Sequence, residues 1–319
     1  MKKIMSFILA SLLVFASGCE RNKVNNTADK NAPMTDKVKI VATIFPLYDI
    51  ALQIAGDKAE VEMLLPVGAE VHSYEPTSRD IIKIRESNLF INIGLSADPW
   101  TEAIIDDVKS EHFNVISVGE IVGHEHDDDD DDDDHDHDDD DHNHSFDEHV
   151  WTSIENVEEI AEGIFRRLCE IDPENTAYYR VNYEAYEKQL EILDEKFERA
   201  IEASRNKTLV FADRFPFLYF TEEYDLDYIA AFPGCSSETE PSAATVSQII
   251  DFVRKNNIKA VLYTETSNGK VPDIICEETG AQKLLMHSCH NVTKKQLDEG
   301  ITYLQLMENN LEAVKQALR

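Results

Sequence analysis

From Pro173 to Asn206, the apolar residues Tyr179, Tyr183, Tyr186, Leu190, Leu193, Phe197 and Ile201 recur at intervals of three and four. That is the period of an α-helix with one buried stripe. About thirty such residues would span roughly 45 Å at 1.5 Å per residue. This is longer than an α/β unit needs and suits a rigid connector between two lobes; the other reading is an ordinary surface helix of one lobe. On either side, short apolar runs alternate with helical stretches. Before the connector, Lys39–Phe45, Val61–Leu65, Leu89–Ile93 and Val115–Val118 read as strands. The helices among and after them run over Leu47–Ala55, from a Thr77 cap through Ser87, near Thr101–Ser110, and over Ile154–Leu168. After the connector, the strands are Leu209–Ala212, Asp227–Phe232, Ala260–Thr264 and Lys283–Met286. Helices there lie near Phe215–Tyr224, Ala243–Asn256 and Val271–Thr279, with a closing helix Lys294–Leu318 capped by Thr293. Continuous apolar strands separated by helices predict parallel sheets covered on both faces. The expected fold is therefore α/β: two lobes, each a mainly parallel sheet covered by helices, joined by one long connector helix. Residues 38–172 form the first lobe, 173–206 the connector and 207–319 the second lobe.

One stretch breaks the order. Residues 124–144 hold six of the eleven histidines and thirteen aspartates, with no apolar residue. Such a segment cannot bury surface and reads as a disordered loop. Acidic runs are usually only solvated, but interleaving His124, His126, His135, His137, His142 and His144 with carboxylates supplies ligands for borderline divalent metals such as Zn²⁺. A flexible tract has no fixed geometry, so it reads as an accessory metal-binding loop. The formal net charge of the chain is −33, and the tract accounts for less than half of it. The acidic remainder argues against nucleic acid or an anionic substrate and favours cations.

At the N-terminus, Lys2 and Lys3 precede the apolar run Ile4–Phe15 and the small residues Ala16, Ser17 and Gly18 before Cys19. The run is too short to span a bilayer comfortably. It resembles a bacterial lipoprotein signal (residues 1–18) in which Cys19 is lipidated; an ordinary secretory signal is the alternative. Residues 19–37 would then be a flexible, lipid-anchored tether, and the mature chain would sit outside the cytoplasm, anchored to the outer face of the membrane. Four cysteines remain in that oxidising setting. Cys169 and Cys276 read as small buried residues within helices. Cys235 and Cys289 each follow an expected strand, where a disulfide between them is favoured over thiolate ligation.

Ligands of open parallel sheets bind beyond the carboxyl ends of the strands. That rule selects His72, Asp213, Glu265 and His287, together with His149 in its loop. Singly, each histidine is more readily explained as a satisfied loop residue; their joint placement points to metal. His112 reads as surface, and His290 is of interest only as a neighbour of His287.

The motifs Val67–Thr77 (VGAEVHSYEPT) and Phe146–Trp151 (FDEHVW), with the long connector, resemble the substrate-binding proteins of zinc and manganese ABC transporters, the cluster A-I group. An acidic, histidine-rich loop between the first two ligand motifs is characteristic of the zinc-specific members. The resemblance implies a mostly rigid protein, acting as a monomer, with a metal between two α/β lobes. It delivers that metal to a membrane permease driven by a cytoplasmic ATPase. Residue by residue, His72 matches the first ligand histidine and His149 the second. The third motif is a histidine followed by Phe-x-Tyr; here Phe217-Leu218-Tyr219 is present, but Arg214 stands where the histidine belongs. Arginine stays protonated and cannot ligate a metal. The last motif usually supplies an aspartate, and His287 occupies its place. Three histidines, His72, His149 and His287, would restore the ligand count. Water, Glu265 or Cys289 would take the fourth position, and Glu265 could equally be the acceptor that fixes a histidine tautomer. Arg214 would pair with Asp213 or Glu240 and close the cleft, or would exclude water from it.

The leading expectation is thus an extracytoplasmic Zn²⁺-binding lipoprotein of an uptake system, with no enzymatic role. A manganese-binding member of the same family is one alternative. Another is a secreted zinc hydrolase with three histidines and an open water position, against which the chain has no His-Glu-x-x-His helix. A metal-buffering or cell-adhesion surface protein is a third class.

Overall fold

A computed structural model describes residues 37–69, 74–94, 98–108, 113–123, 147–232 and 241–319. The first sheet holds β1 (Val38–Ala42), β2 (Ala59–Met63), β3 (Leu89–Asn92) and β4 (Asn114–Ser117), all parallel, in the order β2-β1-β3-β4. The second repeats that order with β5 (Thr208–Phe211), β6 (Asp227–Ala230), β7 (Ala260–Tyr263) and β8 (Gln282–Leu285), arranged β6-β5-β7-β8. The first-lobe helices are α1 (Phe45–Ala55), α2 (Ser78–Glu86), α3 (Trp100–Asp107), α4 (Val118–Gly123) and α5 (Ile154–Ile171). The connector is α6 (Thr176–Glu202), followed by α7 (Leu218–Glu223), α8 (Ala243–Asn256), α9 (Lys270–Thr279), α10 (Lys294–Asp298) and α11 (Tyr303–Ala317). Among the described residues no helix is long and apolar enough to cross a membrane.

The period of two along each strand sorts its residues between separate cores. Ile40, Ala42, Leu89 and Ile91 face one cluster, whereas Val41 and Phe90 face a smaller one closed by Ile84 of α2 and Ile104 of α3. In the second sheet, Leu209, Phe211 and Leu262 point into the same large cluster as the first lobe. Val210 and Val261 point away from it, towards Ile249 and Val253 of α8 and Ile275 of α9. The inner faces of both sheets therefore share one continuous core with α1, α5, α6 and α11. A shared close-packed interior resists small displacements of one half against the other.

The connector runs for 27 residues, about 40 Å, and packs against α1, α5 and α11. Tyr179, Tyr186, Leu190, Leu193, Phe197 and Ile201 are its buried stripe, and Tyr183 stacks on Phe165 of α5 with ring centroids 4.7 Å apart.

Strand positions match the sequence pattern, and element ends shift. Phe45 and Pro46, read as the close of a strand, open α1 instead, because proline is suited to a first helical turn whose N–H is not needed. Val118 begins the unanticipated α4. The expected single closing helix is two. Thr293 caps α10, Gly300 at φ 71° takes the left-handed conformation, and Thr302 opens α11 with its own capping box to Gln305. The Thr302 box satisfies main-chain donors that the break exposes.

Candidate metal centre

His149 precedes a 3₁₀ turn, Val150–Thr152, which runs into α5 through the Ser153 cap. Its ring is buried, at 1% exposure. Asp147 Oδ1 accepts the His149 main-chain N–H at 2.9 Å and lies 2.8 Å from ring Nδ1. A carboxylate on Nδ1 favours the proton there, so that Nε2 carries the lone pair. This is the tautomer a ligand needs.

His287 lies two residues beyond β8. Asn310 of α11 clamps its backbone from both sides: Oδ1 accepts the His287 N–H at 2.7 Å, and Nδ2 donates to the His287 carbonyl at 2.8 Å. The ring is prepared differently from His149, because Nδ1 accepts the main-chain N–H of Cys289 at 3.0 Å. The neutral ring then carries its proton on Nε2. Glu265 Oε1 stands 3.5 Å from the same Nδ1. Burial holds the His287 pKa below its usual range, against the pull of Glu265. Presenting a bare Nε2 to a metal requires Nδ1 to exchange the Cys289 N–H for the Glu265 carboxylate as its partner. Glu265 is held in place for that exchange by Ser288, whose N–H donates to Oε2 at 2.8 Å and whose hydroxyl donates to Oε1 at 2.6 Å. We expect Glu265→Gln to weaken zinc binding by roughly 10- to 100-fold, the usual loss when a histidine's orienting partner goes. Competition against a chromophoric chelator measures this, and an unchanged affinity removes Glu265 from the site.

The two histidines are tied across the lobes. The Trp151 ring lies 5.3 Å from that of His149, and its Nε1 donates to the carbonyl of Ser288, next to His287, at 2.8 Å. Glu265, His287, Tyr263, Leu285, Asn291 and Ala69 line a cavity of 730 Å³. His72 lies outside the described residues, but the chain leading towards it is stapled to the second lobe. Gly68 N–H donates to the Val292 carbonyl, and Asn291 Nδ2 donates to the carbonyls of Pro66 and Ala69. Among the described residues, no three histidine, cysteine or acidic side chains converge to hold a metal. His149 and His287 are the described pair.

Several expected participants have other work. Asp213 Oδ1 accepts the main-chain N–H of Arg214, and Oδ2 accepts the Thr264 hydroxyl, joining the ends of β5 and β7. Glu240 lies outside the described residues, as do Cys19, Cys235 and the tract histidines His124, His126, His135, His137, His142 and His144. Cys289 is a free, buried thiol in the left-handed conformation at φ 64°. Its Sγ donates to the His287 carbonyl at 3.5 Å, and burial pushes its pKa well up. Residues that the sequence pattern did not single out are Asp147, Ser288, Asn310 and Trp151 as orienting groups. Asp147 could have been found two residues before His149; Asn310, on a helix 23 residues beyond His287, left no local signal.

Comparison with known proteins bears on this geometry. The family model "Zinc-uptake complex component A periplasmic" matches residues 40–317. The chain is 28% identical over 312 residues to the high-affinity zinc uptake system protein ZnuA of Bacillus subtilis, covering 98% of this chain and 96% of that one. It is 29% identical over 322 residues to the zinc-binding lipoprotein AdcA of Streptococcus pneumoniae, covering 99% of this chain but 61% of that one. Among solved structures, the Zn(II)-bound ZnuA-like domain of Streptococcus pneumoniae AdcA superposes with a TM-score of 0.73 at 26% identity, covering 89% of this chain and 99% of the domain.

Proposed function

The chain belongs to the family of periplasmic component A of zinc-uptake complexes, and from that premise we propose that it captures Zn²⁺ between its lobes through His72, His149 and His287 and passes the ion to a membrane permease driven by an ATPase. The observation that carries the ligand assignment is the pairing of buried His149, with Nδ1 held by Asp147, and buried His287, with Glu265 beside its ring, across one inter-lobe hydrogen bond. His72 enters through its motif and through the stapled chain that leads towards it. In this reading Glu265 orients His287, and water completes the coordination. Arg214 stands where the family motif places a ligand and closes the cleft by pairing with Glu240. Cys19 anchors the chain by lipid outside the cytoplasm, where it works as a monomer without catalysing a reaction. Nothing in the donor set favours Mn²⁺, which prefers carboxylate-rich sites.

Residues 124–144 act as an accessory antenna that raises the local zinc concentration. Zinc titration of the intact chain and of a chain lacking residues 124–144 tests the assignment. The shortened protein is expected to keep one tight site and lose the weak ones. Loss of tight binding on deletion would move the site into the tract and overturn the inter-lobe reading.

A further inference from the structure

Two carboxylates cross between the lobes in opposite directions, and each ends on the first turn of a helix. Glu223, on α7 of the second lobe, uses Oε2 to accept the N–H of Ile154 at 2.9 Å and Oε1 to accept that of Glu155 at 3.1 Å. Those are the first two residues of α5 in the first lobe. Asp49, on α1 of the first lobe, accepts the N–H of Tyr303, the first residue of α11, at 2.8 Å and is steadied by Gln53 at 3.1 Å. A carboxylate on otherwise unpaired N–H groups at the positive end of a helix is a favourable contact. Both are nevertheless held at a cost, since burial pushes Glu223 up to about 7 and Asp49 up to about 6.

Each gripped helix leads to a histidine of the site. The turn carrying His149 is bonded into the start of α5 through Ser153 N–H to the Val150 carbonyl and Asn156 Nδ2 to the same carbonyl. Helix α11 carries Asn310, which clamps His287, and Tyr303, whose hydroxyl donates to the Trp151 carbonyl at 2.8 Å. We propose that Glu223 and Asp49 are reciprocal positioning residues, each lobe's carboxylate setting the helix that places the other lobe's histidine. The proposal rests on the zinc reading of the site and adds to it two residues that touch no metal.

The test compares Glu223→Ala, Glu223→Gln, Asp49→Ala and Asp49→Asn with Asp172→Ala, a buried carboxylate variant that loses the side-chain bonds from Tyr179 and Asn175. Amide exchange in the metal-free protein reads the grips, and zinc dissociation into excess chelator reads the site. Glu223→Ala is expected to deprotect Ile154 and Glu155, Asp49→Ala to deprotect Tyr303, and each to speed zinc release by about tenfold or more. The amide variants, which keep one acceptor oxygen, should stay within about threefold of the native rate. Asp172→Ala should lower the melting temperature without moving that rate. Unchanged zinc release in both alanine variants, with the native protein binding normally, overturns the positioning role alone. A native protein that binds no zinc overturns the reading on which it rests.

Discussion

Zinc affinity is expected to fall by roughly 100- to 1,000-fold when His287 is replaced by alanine, and by a similar factor for His149→Ala. If about four donors share the ~10–16 kcal/mol typical of a tight protein zinc site, each contributes about 3 kcal/mol, and every ~1.4 kcal/mol is tenfold in affinity. The structural cost differs between the two. His287→Ala leaves the buried Cys289 N–H without its acceptor, an expense of about 1–3 kcal/mol, so melting must be followed beside binding. His149→Ala removes a buried ring that packs beside Trp151 and bonds Asp147, so its melt must be followed as well. Isothermal titration against a competing chelator at fixed pH checks both. Native affinity in His287→Ala would reject the three-histidine set and leave Glu265 as the second lobe's donor.

The strand ends beside which Glu265 and His287 lie were legible in the amino-acid sequence, because they follow from one rule. In parallel α/β sheets the chain turns away at the carboxyl ends of the strands, and those ends carry the chemistry. Apolar runs such as Leu89–Asn92 are buried on both faces, so their positions could be read directly and His287 fell into place behind β8. What could not be read depends on contacts between distant segments. Asn310 reaches His287 only because α11 folds back on β7 and β8. Glu223 and Asp49 look like ordinary helix-surface acids until the lobes meet. The break at Gly300 was hidden by apolar periodicity continuing on both sides of it, although Thr302-x-x-Gln305 is a recognisable capping box. The shared core also recasts the connector: it is a wall of that core, with Leu190, Leu193 and Phe197 fully covered, as well as a link between lobes.

Trp151→Ala is expected to be the most destabilising substitution near the site and to impair metal binding as well. The side chain is fully buried in the core that both lobes share, and truncating a buried tryptophan costs about 3–5 kcal/mol. For a chain of this size, that corresponds to a loss of roughly 5–8 °C in Tm. The indole also bonds the His149 turn to the Ser288 carbonyl, so its loss removes one of the ties between the two histidines. Trp151→Phe separates the two effects. It keeps most of the packing but leaves the Ser288 carbonyl without its donor, at about 1–3 kcal/mol. Its Tm should therefore drop by less than half as much as in Trp151→Ala, while zinc release accelerates by about tenfold. Thermal melts paired with chelator-driven release measure both quantities on the same samples. Release at the native rate in Trp151→Phe would show that the shared core alone fixes the lobes, with the indole N–H contributing only to stability.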